Sequence, residues 1–273
     1  MDDAPPELTE RFLAAVALAQ RVHGQARRSG TEIPYLAHLL VVTGLVIEDG
    51  GDEDQAIAAM LHDSVEDGGG RPLLEEIAST FGPRVAEIVE GLSDTLDPES
   101  SEPWIERKRR YLEHLRGCMD EGILRVGLAD KVHNARSMVR DYAKEGPALW
   151  ERYTQKSARE QLWYYGALLD LFGELRLGPL TEDLRRAVDD LAWLVAKDDA
   201  RGAESLSLWL DPDLHGGQAP EGWVQVRREE EALVLVSEAQ VAVEISVVHD
   251  LETPGLLAWA ADNPHRVTRL ARH

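Results

Sequence analysis

Apolar residues recur at helical spacing from about Leu8 to Lys197. In "TERFLAAVALAQRVHGQA", Phe12, Val16, Ala19 and Val22 follow a period of about 3.6 residues, which predicts an amphipathic helix. Pro34 opens a second helix, "YLAHLLVVTGLVIEDGG", that stops at Gly50 and Gly51. Asp52 with Gln55 makes a capping-box pattern for a third, and Gly68 to Gly70 ends it. Further helices are read in "PLLEEIASTFG", "PRVAEIVEGLSD", "WIERKRRYLEHLRGCMDEG" and "ILRVGLADKVHNARSMVRDYAKEG", with a long one from about Trp150 to Leu175. Pro179 and Thr181 introduce a last one, "EDLRRAVDDLAWLVAK".

After Asp199 the pattern changes. "ESLSLWLDPD", "GWVQVRREE", "EALVLVSE" and "VAVEISVVHD" alternate apolar and polar residues between turn residues, which predicts strands. "PGLLAWAADN" reads as a short helix near the end. The expected architecture is mainly α. A helical domain covers residues 1–178, and residues 179–273 add one helix and a small α+β region.

Composition narrows the function classes. A formal charge of -21 over 273 residues argues against wrapping a nucleic-acid backbone or lying on an anionic membrane. It leaves room for a small phosphorylated ligand, because local sites can oppose the global field. The basic run "RKRR", Arg107 to Arg110, reads as a solvated helix face. Cys118 is the only cysteine, so no disulfide framework exists and a reducing cytosol fits. The N-terminal "MDDAPPELTERF" has no signal-peptide pattern, and no apolar run approaches the ~20 residues of a membrane span. The expectation is a cytoplasmic protein with no membrane and no nucleic-acid partner, and a homo-oligomer stays open.

The densest chemistry lies in "AAMLHDSVEDGGG". On one continuous helix His62 stands over Glu66 and Asp63 over Asp67, with His62 and Asp63 about 100° apart around the axis. Three carboxylates there oppose the negative end of the helix dipole, and no Lys or Arg lies among them. A divalent metal would answer the charge problem, and mixed imidazole and carboxylate ligands suit Mn²⁺, Fe²⁺ or Zn²⁺. Other segments must then contribute. His38 sits within an apolar helix, and Asp130, with Asn134 one turn on, lies in "VGLADKVHN". Each residue also has a structural reading: His38 as a core histidine, Asp130 as the partner of Lys131 or Arg136, Glu66 and Asp67 as a solvated helix end. Spacing alone leaves both open.

"PYLAHLLVV", "AAMLHDSVEDGG" and "GLADKVHNARSM" resemble, in that order, the motifs of HD-domain metal-dependent phosphohydrolases. Within that superfamily they resemble the Rel/Spo-type (p)ppGpp hydrolases, including the small alarmone hydrolases. "FGPRVAEIVEGLSD", "ERKRRYL" and "AREQLWYYGALLDLFG" extend the likeness over about Ala14 to Gly173. The resemblance implies an HD-domain helical bundle that hydrolyses the 3′-pyrophosphate of (p)ppGpp. It implies metal ligation, usually of Mn²⁺, by His38, His62, Asp63 and Asp130. Glu66 and Asp67 match the acidic pair that activates or positions water. Asn134 and Ser137 match positions that contact the nucleoside, and Arg27 and Arg28 match a basic pair that meets the base or phosphate. Lys156 and Arg159 are further phosphate candidates from helix placement.

The sequence departs from the family pattern at Leu39, usually Pro, and Gly68, usually Thr. "SGTEIPY" is one residue longer than the common form, and no synthetase motif follows. Alternatives are a hydrolase of another nucleotide, such as an adenosine alarmone or NADPH, a catalytically silent nucleotide-binding domain, and a helical scaffold without metal. His215, His249, His265 and His273 show no ligand spacing and read as surface residues.

Overall fold

The computed structural model describes residues 7–93, 102–175 and 178–199, and five strands between residues 206 and 272. Helices α1 (Glu10–His23), α2 (Leu36–Glu48), α3 (Glu53–Leu61), α4 (Ser64–Gly68), α5 (Gly70–Phe81) and α6 (Pro83–Leu92) come first. Then follow α7 (Trp104–Gly117), α8 (Glu121–Glu145), a 3-10 helix (Gly146–Arg152), α9 (Ala158–Leu175) and α10 (Pro179–Asp199). Two compact units divide the chain: residues 1–138 with 149–188, and residues 139–148 with 189–273.

The first unit is organised around α3. Ala56 through Leu61 are completely buried, with α1, α2 and α6 packed against the helix. From Ala56 to Leu61 the helix is apolar and buried all round, so the polar groups of this segment begin again only at the residue after it. Burying a side chain such as Ile57 or Leu61 contributes about 1.5–3 kcal/mol. The core continues through Ile77, Ile88, Leu115, Leu128, Leu168 and Phe172.

Local polar groups set the helix ends. Asp52 accepts from the Gln55 amide at 2.8 Å, as its pattern predicts, but the Gln55 side chain is used by Arg125 at 2.6 Å. The helix read through "GCMDEG" ends instead at Gly117, because Asp120 caps α8 by accepting from the Gly122 and Ile123 amides at 2.9 and 3.1 Å. Trp150 to Leu175 is likewise not one helix. The 3-10 helix ends at Arg152, and Ser157 Oγ accepts the Glu160 amide at 3.3 Å to start α9.

The expected continuous helix through "LHDSVEDGGG" is also interrupted. α3 ends at Leu61, and the last carbonyls of a helix need partners. His62 Nδ1 donates to the Ala59 carbonyl at 2.8 Å, and α4 restarts at Ser64. Gly70, at φ 56°, turns the chain directly into α5. The departure at Gly68 has a packing reason: a Cβ there would lie 2.3 Å from Val22 Cγ1.

In the second unit, strands β1 (Leu206–Leu210), β2 (Val224–Glu229), β3 (Ala232–Ser237), β4 (Ala242–Val243) and β5 (Val267–Arg272) form one antiparallel sheet. The order is β4-β3-β2-β1-β5. Val224 pairs with Ser237 and Glu229 with Ala232, while Leu206 pairs with Arg272 on the other side of β1. The sequence pattern anticipates β1 to β4 but not β5, where Arg269 and Arg272 break the apolar alternation. "PGLLAWAADN" lies outside the described residues. No described helix is long and apolar enough to cross a membrane.

Candidate functional site

Three segments of the first unit converge on one point. α2 supplies His38, the break after α3 supplies His62 and Asp63, and α8 supplies Asp130. His38 and His62 are buried, and ligand atoms of His38, His62 and Asp130 all lie within 4.8 Å of one another. His38 Nε2 is 3.3 Å from Asp130 Oδ1 and 3.4 Å from Asp63 Oδ2. His62 Nε2 is 3.0 Å from Asp63 Oδ2 and 3.6 Å from Asp130 Oδ1.

Neither Nε2 makes a hydrogen bond, although both are hidden from solvent. The oxygens are near, but they lie off the direction that an imidazole hydrogen bond requires. Buried polar atoms without partners are rare and mark a strained, catalytic or ion-binding site. Each ring is instead engaged at Nδ1. His62 Nδ1 is engaged by Ala59, and His38 Nδ1 lies 2.6 Å from His133 Nδ1. Two buried imidazole nitrogens and a carboxylate oxygen fit a divalent transition-metal ion.

The carboxylates are held in place by their own partners. Tyr35 Oη donates to Asp63 Oδ2 at 2.6 Å. Asp130 Oδ2 accepts from Lys131 Nζ and Oδ1 from Asn134 Nδ2, both at 2.6 Å. Asn134 Oδ1 in turn accepts from Arg28 at 2.8 Å, and the Arg28 guanidinium lies over the Tyr35 ring.

Charges are strongly coupled here. Burial opposes a charged His62, but Asp63 and Asp130 overcome it and hold its pKa well above the usual imidazole value. Burial would also raise both aspartates. His62 and His38 hold Asp63 well below the ordinary carboxylate range, and Lys131 with the two histidines does the same for Asp130. The site calls for positive charge at its centre.

Glu66 and Asp67, on α4, border a cleft with His62, Asp63, Asp130 and Asn134. Burial, then repulsion from Asp63 and Glu66, pushes the Asp67 pKa up to about 6. Glu66 lies 3.9 Å from Arg107, so the cations missing from the local sequence arrive from other helices. Buried His23 stacks on Tyr35, lies 3.3 Å from Ser64 Oγ and approaches Asp67 at 4.0 Å. Burial, first among its influences, keeps the His23 pKa low.

The remaining wall is Tyr35, Leu92, Lys108, Tyr111 and Lys131. This corrects the solvated reading of "RKRR" at Arg107 and Lys108, while Arg109 and Arg110 are exposed as that reading expects. Lys108 lines the cleft, Arg107 faces Glu66, Arg109 lies over Trp163 and Arg110 pairs with Glu102. Arg28 and Asn134 come together at the site, whereas Arg27 donates to the Ala26 carbonyl and Ser137 is buried on α8; among the described residues neither lines the cleft. Lys156 pairs with Glu151, and Arg136 pairs with Asp183 rather than Asp130. Sequence reading passed over Tyr35, His23, Lys108, Tyr111 and His133. The aromatic position directly after Pro34, and His133 three residues after Asp130, were the available signals.

Known proteins resemble this chain in sequence and in fold. A family model described as "HD domain" matches residues 15–156. A guanosine-3′,5′-bis(diphosphate) 3′-pyrophosphohydrolase MESH1 of Xenopus tropicalis is 40% identical over 132 residues, covering 47% of this chain and 70% of that protein. A probable guanosine-3′,5′-bis(diphosphate) 3′-pyrophosphohydrolase of Synechocystis is 34% identical over 173 residues, 62% of this chain and 21% of that longer protein. A solved structure described as "A metazoan ortholog of SpoT hydrolyzes ppGpp and plays a role in starvation responses" superposes with a TM-score of 0.53 at 26% identity. It covers 68% of this chain and 95% of that one.

Proposed function

The chain belongs to the HD-domain family, and on that premise we propose that it is a nucleotide pyrophosphohydrolase that removes the 3′-pyrophosphate of (p)ppGpp, leaving GDP or GTP. One observation carries this reading. Two buried, unpartnered imidazole nitrogens meet the Asp130 carboxylate beside a cleft edged by Glu66, Asp67, Lys108 and Lys131. The guanosine-3′,5′-bis(diphosphate) 3′-pyrophosphohydrolase activity of the MESH1 relatives, and the ppGpp hydrolysis described for the solved structure, support this choice of substrate.

His38, His62, Asp63 and Asp130 would hold Mn²⁺. When bound, the ion neutralises phosphoryl oxygens and lowers the pKa of water. The chain's own groups do the rest. Asp67, with its pKa near 6, accepts the proton of the attacking water, and Glu66 holds that water in line. Attack falls on the phosphorus joined to the 3′ oxygen; the P–O3′ bond breaks and its electron pair leaves with that oxygen. Lys108 and Lys131 oppose the phosphate charge, and Arg28 with Asn134 forms the side that meets the nucleoside. A cytoplasmic setting belongs to the same proposal, since Cys118 is the sole cysteine.

The test is a panel of ppGpp, pppGpp, adenosine alarmones and NADPH incubated with Mn²⁺, with separate read-outs for pyrophosphate and phosphate. Release of pyrophosphate from the two guanosine nucleotides alone is the expected result. Phosphate release from NADPH, or turnover of the adenosine compounds only, would replace the substrate assignment.

A further inference from the structure

We infer that His133 is a positioning residue that fixes the tautomer of His38 and so sets the metal affinity of the centre. The inference rests on the metal reading of the site and extends it to a residue outside both the ligand set and the cleft lining. His38 Nδ1 and His133 Nδ1 are 2.6 Å apart, with ring centroids 4.8 Å apart and planes inclined by 36°.

Two neutral imidazoles at that distance share one hydrogen, and the surroundings decide which ring carries it. If His133 were the donor, the His38 proton would sit on Nε2. That atom is buried and has no acceptor in line, so the proton would be stranded. Placing the proton on His38 Nδ1 removes the conflict. His133 Nδ1 then accepts, and His38 Nε2 is left as a bare lone pair facing Asp130 and Asp63.

The two histidine ligands are thus oriented in different ways. His62 donates to the main-chain carbonyl of Ala59, which no substitution elsewhere removes. His38 depends on a side chain. The carbonyl of Pro34, four residues before it and ahead of α2, already accepts from Ala37. One helix, α8, therefore supplies both a ligand, Asp130, and the group that orients a ligand on α2. Outer partners of metal-bound histidines commonly serve this purpose.

The experiment measures Mn²⁺ affinity from loss of the free-ion electron paramagnetic resonance signal, for the parent chain and for His133→Phe, His133→Ala and His133→Asn. Phenylalanine keeps a ring without an acceptor, whereas the asparagine oxygen replaces Nδ1. Loss of about 10- to 100-fold in affinity is expected for Phe and Ala, with most of it recovered in Asn. Parent-like binding by His133→Phe, or equally weak binding by all three variants, overturns the role as acceptor while leaving the metal reading intact. A parent chain that binds no divalent ion overturns both. Imidazole ¹⁵N shifts of the unsubstituted protein decide the matter if a variant fails to fold: hydrogen on His38 Nδ1 supports the inference, and hydrogen on His38 Nε2 overturns it.

Discussion

Tyr35 Oη donates to Asp63 Oδ2 at 2.6 Å, so the first residue before α2 fixes a carboxylate that follows α3. The Tyr35 ring is itself held by stacking on His23 at 5.1 Å and by the Arg28 guanidinium over its face. Burial, then Asp63, drives the phenol pKa upward, so the hydroxyl remains a donor at any working pH. Tyr35→Phe keeps the stacking and removes only the hydrogen bond. It is expected to weaken Mn²⁺ binding by about 10-fold or more, with little change in melting temperature, in a metal titration paired with thermal unfolding.

Asp67 provides the pH signature. Its raised pKa means that the base form is lost as pH falls through about 6, so kcat/KM rises with pH across that limb. A cation nearby favours the ionised carboxylate, which moves the limb to lower pH in the loaded enzyme. Asp67→Asn is expected to lower kcat by about 10²- to 10⁴-fold and to remove the limb; a pH–rate profile of both proteins checks this.

Lys108 lines the cleft, with its Nζ over the Tyr111 and Tyr164 rings. Under the proposed function its charge would favour a phosphate bound in the cleft that it lines. Lys108→Ala is expected to raise KM by about 10-fold or more, consistent with the worth of a charged hydrogen bond, and to change kcat less. Steady-state kinetics distinguish this from Arg110→Ala, which removes an exposed side chain that pairs with Glu102 and does not line the cleft.

Asp120 joins two helices and stabilises the fold without touching the site. It caps α8, and its other contact is Arg84, with Nη2 2.9 Å from Oδ1. The Arg84 hydrogen bond outweighs burial and holds its pKa down to about 2. A depressed carboxylate pKa contributes stability above the unfolded value, and that stability is lost as pH falls toward about 2. Asp120→Ala should cost about 1 kcal/mol near neutral pH, mostly from the cap, because the ion pair is partly exposed. Urea unfolding of parent and variant should converge as the pH is lowered toward 2.

The parts of this molecule legible in the sequence are those governed by local pattern. Apolar periodicity marked α1, α2, α5 and α6, and Asp52 announced α3. His38, His62, Asp63 and Asp130 were named from motif order, and the fold brings their side chains together. Long-range pairing stayed hidden. Nothing local says that Tyr35 reaches Asp63, that Lys108 faces a cleft, or that His133 meets His38 from 95 positions away. The interruption at His62 was missed because the residues themselves are compatible with a helix; a side-chain bond to Ala59 and the packing around α3 decide the matter. β5 was missed because strand pairing, not alternation, defines it.

The central claim is that the His38, His62, Asp63 and Asp130 centre drives removal of pyrophosphate from (p)ppGpp. Its most direct test is a comparison of the parent with Asp63→Ala in a Mn²⁺-dependent ppGpp assay that measures released pyrophosphate, each protein also treated with EDTA. The account predicts pyrophosphate release by the parent, abolished by EDTA and absent from folded Asp63→Ala. Equal activity in the variant, or activity that survives EDTA, would contradict it.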